Sequence, residues 1–89
     1  MAVSDLTERF EQAQADVKTL TKRPGNDDLA ALYGLYKQAT AGEASGAKKP
    51  GRFDLVGKAK YDAWAKLAGT SAEDAMTRYI ATVDRLLGR

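Results

Sequence analysis

Between Ala75 and Leu87 the apolar residues Ala75, Met76, Tyr79, Ile80, Val83, Leu86 and Leu87 recur every three or four positions, the period of one face of an α-helix. A stripe this regular needs a partner surface, and the same period returns three more times along the chain. Leu6, Phe10, Ala13, Val17 and Leu20 follow spacings of four, three, four and three, with Glu8, Glu11 and Asp16 off the stripe. Leu29, Leu32, Tyr33, Tyr36 and Ala39 make another, and Ala59, Ala63, Trp64 and Leu67 form the inner side of a helix placed from about Gly57 to Leu67. Phe53 and Leu55 are expected to pack ahead of it. Strict alternation of apolar and polar residues is absent, so no strand and no repeat is expected. The pattern predicts an all-α domain of four helices, and 89 residues leave room for one domain, residues 1–89.

Local signals mark where the helices begin and end. Ser4 or Asp5 is a candidate cap for the first, and Arg23-Pro24-Gly25 stops whatever continues past Leu20, because proline disfavours helical geometry in the preceding residue. Asn26-Asp27-Asp28 offers cap oxygens and negative charge to the second helix. Gly34 lies inside that helix, where it costs about 1 kcal/mol relative to alanine, so a close approach to its backbone is expected. Ala41 to Gly51 reads as the one long loop. Gly69 closes the third helix, and Thr70-Ser71-Ala72-Glu73 fits a capping box at the start of the fourth.

Composition removes most catalytic chemistry. With no cysteine and no histidine, thiolate nucleophiles, imidazole bases, disulfides and ordinary zinc sites are excluded. Nothing runs apolar for the roughly 18 residues of a membrane span, and the first ten residues lack a signal-peptide core, so a cytoplasmic location is expected. The net charge of +2 is mild, but it is unevenly spread. Residues 31–69 carry seven basic side chains against Glu43, Asp54 and Asp62, which makes the middle of the chain the place for an anion. The segment GRFDLVGK from Gly51 to Lys58 imitates a phosphate-binding loop, yet it separates its glycines by one residue too many and puts Ala59 where Ser or Thr is needed. Thr70, Ser71 and Asp74 have no base to activate a hydroxyl, and helix capping accounts for them.

One group resists a purely structural account. Tyr33, Tyr36 and Lys37 fall on one side of a helix, and Lys58, Lys60, Tyr61 and Trp64 follow within seven positions. Taken singly, such rings are usually core and such lysines solvated. Two ring-plus-cation clusters on consecutive helices suit a ligand that is flat at one end and multiply anionic, such as a nucleotide, because phenols and ammonium groups bind phosphate while rings stack on a base.

YGLYKQAT, then GKAKYDAW, then GTSAEDAMTRYI resemble in order and spacing the acyl-CoA-binding protein family, over nearly the whole chain. The resemblance implies an up-down-down-up four-helix bundle that binds long-chain fatty acyl-CoA and does no chemistry on it, with no cofactor. It assigns Tyr33, Lys37 and Lys60 to the 3′-phosphate of coenzyme A and Tyr79 to the adenosine, with Tyr36 and Lys18 as further matches; Lys18 reads equally as a solvated helix charge. Phe10, Val17, Leu20, Leu32, Trp64, Ile80 and Val83 match core positions. Three departures stand out: a loop before Pro50-Gly51 one residue longer than in animal members, Tyr61 where tryptophan is common, and Val56 where lysine is frequent. The implied role is that of an intracellular carrier and buffer, monomeric, in transient contact with membranes or acyl-CoA-using enzymes, and with no nucleic-acid partner. A small helical nucleic-acid binder and a pure protein-interaction module remain the competing readings of the residues alone, although Asp54 and Asp62 interrupt any basic face.

Overall fold

The computed structural model describes residues 2–44 and 49–89. It contains helices α1 (Ala2–Val17), α2 (Asn26–Thr40), α3 (Leu55–Ala65) and α4 (Ala72–Leu87), and no strand among the described residues. None of these helices is long and apolar enough to cross a membrane.

α1 packs on α4, and α2 packs on both α3 and α4. Contacts near the helix ends fix the directions. Arg89, just past α4, pairs with Asp16 near the end of α1 at 3.0 Å, so these two helices run parallel. Arg85 in the last turn of α4 pairs with Asp28 in the first turn of α2 at 2.6 Å, while Gln38 near the end of α2 donates to the Thr70 carbonyl ahead of α4 at 2.9 Å. α2 is therefore antiparallel to α4. Lys60 of α3 lies against Tyr33 of α2, and Trp64 against Lys37, so α2 and α3 advance together. The bundle is up-down-down-up.

The core forms where three of the stripes meet. Phe10 and Ala13 come from α1, Leu32 and Leu35 from α2, and Ala75, Tyr79, Ile80 and Val83 from α4. Burying a side chain of this kind contributes about 1.5–3 kcal/mol, which makes this cluster the main source of cohesion. α3 stands outside the cluster and buries Trp64 instead.

Several boundaries differ from those read in the sequence, each for a local reason. α1 begins at Ala2, so Ser4 and Asp5 lie inside it, with Asp5 adding favourable negative charge to the first turn. It ends at Val17, and Leu20 follows in a tightened turn where the amides of Lys18, Thr19 and Leu20 donate to carbonyls three residues back. The Thr19 hydroxyl donates to the Asp16 carbonyl at 2.6 Å and competes with continuation of the helix. The cap residue of α2 is Gly25, with no side-chain hydrogen bond; Asn26 is already helical. α3 starts and ends earlier than expected because Asp54 caps it, accepting from the Gly57 amide at 2.9 Å. That shift leaves Phe53, Leu55 and Ala59 exposed, where Phe53 and Leu55 were expected to pack and Ala59 to face inward. At α4 the cap is Ser71, accepting from Asp74 at 3.1 Å, one residue later than the expected Thr70-Glu73 box. Gly69 takes the left-handed φ of +86° that its closing role requires. Of the expected loop Ala41–Gly51, positions 45–48 lie outside the described residues.

Candidate functional site

The site begins at Gly34. Its backbone is buried against α3, and a Cβ built there would lie 2.9 Å from the carbonyl carbon and oxygen of Ala63. Only glycine lets the two helices come so close, and the approach expected from the sequence is thereby met. It sets a register in which Lys60 Nζ stands 5.3 Å from the Tyr33 ring centroid and Lys37 Nζ 5.2 Å from that of Trp64. Each cation–ring contact is worth about 0.5–1 kcal/mol at a surface, and together they cross-link α2 and α3 twice.

The rings of α3 also hold the chain that leaves α2. Trp64 Nε1 donates to the Gly42 carbonyl at 2.6 Å, and the Tyr61 hydroxyl donates to the Ala44 carbonyl at 3.3 Å. Glu43, between them, accepts from the Gly69 amide at 2.9 Å and from Gln38 at 3.4 Å. Tyr61 thus serves the loop with its phenol hydroxyl.

Two clefts adjoin at Tyr33. One, about 310 Å³, is walled by Val17, Leu29, Leu32, Tyr36 and Tyr79; the other, about 540 Å³, by Leu29, Ala30, Leu55, Val56 and Lys60. Tyr33 and Leu29 belong to both walls, so an apolar floor runs from the end of α1 to the start of α3. Together the clefts fall within the size range of small-molecule sites.

The aromatic side of the first cleft is held by Phe10, whose ring lies 6.2 Å from Tyr36 in a stacked arrangement and 5.0 Å from Tyr79 edge-on. Tyr79 is only 6% exposed, whereas Tyr36 is 39% exposed. Burial, reinforced by the neighbouring Tyr36, pushes the Tyr79 phenol above its ordinary pKa, so it remains a hydrogen-bond donor at neutral pH. The hydroxyls of Tyr33, Tyr36 and Tyr79 form no hydrogen bond with another described residue, in contrast to that of Tyr61. Lys37 and Lys60 likewise form no ion pair among the described residues, since the three pairs present all involve Arg85 or Arg89.

Of the six residues singled out in the sequence, the structure brings Tyr33, Tyr36, Tyr79 and Lys60 to the walls of these two clefts. Lys37 sits one turn along α2 from Tyr33, half-buried over Trp64. Lys18 is exposed in the turn after α1, next to Val17 but on neither wall. Val17 packs against the core cluster, as its place in the sequence stripe implies, and in addition lines the first cleft, while Leu29 lines both clefts; helical spacing marks an apolar face without saying whether protein covers it. Among the described residues no group of His, Cys, Asp or Glu could hold a metal ion.

The family model described as Acyl CoA binding protein matches residues 7–83. The chain belongs to the acyl-CoA-binding protein family. A Manduca sexta acyl-CoA-binding protein homolog is 52% identical over 82 residues, covering 92% of this chain and 91% of that protein. The Brassica napus acyl-CoA-binding protein is 48% identical over 82 residues, covering 92% and 88%. In three dimensions the crystal structure of Oryza sativa Acyl-CoA-Binding Protein 2 superposes with a TM-score of 0.91 at 42% identity, covering 98% of this chain and 94% of that one. The acyl-CoA-binding protein fold is therefore shared along essentially the whole length.

Proposed function

We propose that residues 1–89 form a single acyl-CoA-binding domain that holds long-chain fatty acyl-CoA esters without transforming them, as a monomeric cytoplasmic carrier and buffer. The observation that carries this reading is the junction at Tyr33, where two apolar clefts meet beneath the Lys60 ammonium group, which has no carboxylate partner among the described residues. Tyr33, Lys37 and Lys60 take the 3′-phosphate of the head group, and Tyr79 and Tyr36 flank the adenosine. Lys18 contributes long-range attraction from the margin. The acyl chain lies along the apolar floor.

The division of labour follows from magnitudes. Each buried methylene contributes about 0.8 kcal/mol, so a long tail supplies most of the affinity but does not distinguish a thioester from a free fatty acid. Discrimination rests on the head group, where a hydrogen bond to a charged partner contributes about 1.5–3 kcal/mol. Lys37→Ala and Lys60→Ala should each weaken palmitoyl-CoA binding in calorimetry by roughly tenfold to a hundredfold. Palmitate and coenzyme A serve as controls. Unchanged affinity in both variants would reject the site, and an absence of heat with palmitoyl-CoA would reject the function.

A further inference from the structure

Behind the cleft of about 540 Å³ that Tyr33, Leu55 and Lys60 wall lies another of about 590 Å³, on the opposite side of the α2–α3 pair. Its floor is apolar, formed by Ala31 and Leu35 of α2, Ala63 of α3 and Leu67 just past it. Asp27, Asp62, Lys66 and Arg78 also line it, but all four are exposed, so charge rims the mouth and leaves the floor greasy.

Two side chains, Ala30 and Ala59, belong to the walls of both clefts. Each lies one helical turn ahead of a member of the tight seam, Ala30 before Gly34 and Ala59 before Ala63. At Gly34 backbone meets backbone and no chain can pass. One turn nearer the start of both helices, the side chains that divide front from rear carry a single methyl group each. Nor is that divide covered, since Ala59 is exposed and Ala30 half-buried.

We infer that the rear cleft takes the far end of a very-long acyl chain, which crosses from the front cleft over Ala30 and Ala59, so that the protein favours very-long-chain over long-chain acyl-CoA. The inference rests on the acyl-CoA reading and gives it a substrate class. Crossing the divide roughly doubles the room open to a tail. Each additional methylene that leaves water for an apolar wall raises affinity about fourfold, whereas a tail that ended in solvent beyond the front cleft would gain nothing from added length. A larger side chain at position 30 would raise the divide and return the protein to shorter chains.

The test is competition binding with palmitoyl-CoA, icosanoyl-CoA and tetracosanoyl-CoA, all kept below the concentrations at which they form micelles. Affinity should climb along the series, with tetracosanoyl-CoA held roughly tenfold or more tighter than palmitoyl-CoA. Ala30→Leu should abolish that ratio. Ala31→Glu, which changes the rear floor alone, should weaken tetracosanoyl-CoA by roughly tenfold and leave palmitoyl-CoA affinity as it was, with melting curves confirming that both variants fold. Independently of any variant, the amide resonances of Ala31, Leu35 and Leu67 should move further with tetracosanoyl-CoA than with palmitoyl-CoA. Equal affinities along the series, identical resonance shifts, or a loss in Ala31→Glu that is the same for both ligands would each overturn the inference. So would a second equivalent of palmitoyl-CoA bound per chain, which would make the rear cleft a separate site. A protein indifferent to every member of the series would instead overturn the proposed function.

Discussion

Gly34 shows how much one missing methyl group decides. An alanine Cβ there would meet the backbone carbonyl of Ala63 at 2.9 Å and the Trp64 amide nitrogen at 3.0 Å, atoms that have no rotamer to retreat into. Alanine would gain about 1 kcal/mol in helix propensity, but overpacking a tight contact costs about 1–3 kcal/mol, and here the whole of α3 must move. Gly34→Ala should therefore lower the melting temperature despite the better helix former. It should also weaken palmitoyl-CoA binding, because the Lys60–Tyr33 and Lys37–Trp64 contacts both span the seam that it wedges open. Gly51→Ala, where a Cβ meets nothing within 4 Å, should leave both properties unaltered. An unchanged melting curve for Gly34→Ala would show that the seam is not tight.

At the scale of elements, the clamp between α1 and α4 carries a pH dependence. The side-chain hydrogen bond from Gln12, then that from Arg89, hold the Asp16 carboxyl below its ordinary range. Because the folded-state pKa is the lower one, the unfolded chain takes up its proton first on acidification, and the stabilisation present above about pH 3.9 is lost as pH falls through and below that value. Thermal melts of Asp16→Asn should lie below those of the parent protein near neutrality, and the gap should narrow as the carboxyl is protonated on acidification; a gap independent of pH would remove the carboxylate from the clamp. Element existence was legible in the sequence, since four apolar stripes with a helical period became four helices. Element ends were not. Asp54 caps α3 and Gly25 precedes α2, choices made by local backbone geometry that several neighbouring polar residues could equally have served. The cation–ring groups on α2 and α3 were legible as a shared chemistry, but their crossed pairing was not, because it depends on the relative direction and registry of two helices. The apolar walls of the clefts stayed hidden for a simpler reason: Val17 and Leu29 have the same spacing as residues that are fully packed.

For the molecule as a whole, ligand binding and folding are linked. At free palmitoyl-CoA a hundred times the dissociation constant, linkage adds about 2.7 kcal/mol to stability, which for a domain of this size is a rise in melting temperature of roughly 10–20 °C. Scanning calorimetry should show that rise with palmitoyl-CoA and a smaller one with coenzyme A, and equal rises would deny the acyl chain its share. The direction of α3 is the feature on which this coupling turns. To set α3 parallel to α2, the connection must return along about 16 Å of helix, a distance that roughly five extended residues could span. Positions 41–54 supply well over twice that, so spare length there is cheap, and an inserted residue before Pro50 need not disturb the helices it joins. A link too short for the return would force α3 to run the opposite way. Lys60 would then face Lys37 and Trp64 would face Tyr33, turning two attractive contacts into one repulsion and one stack of rings.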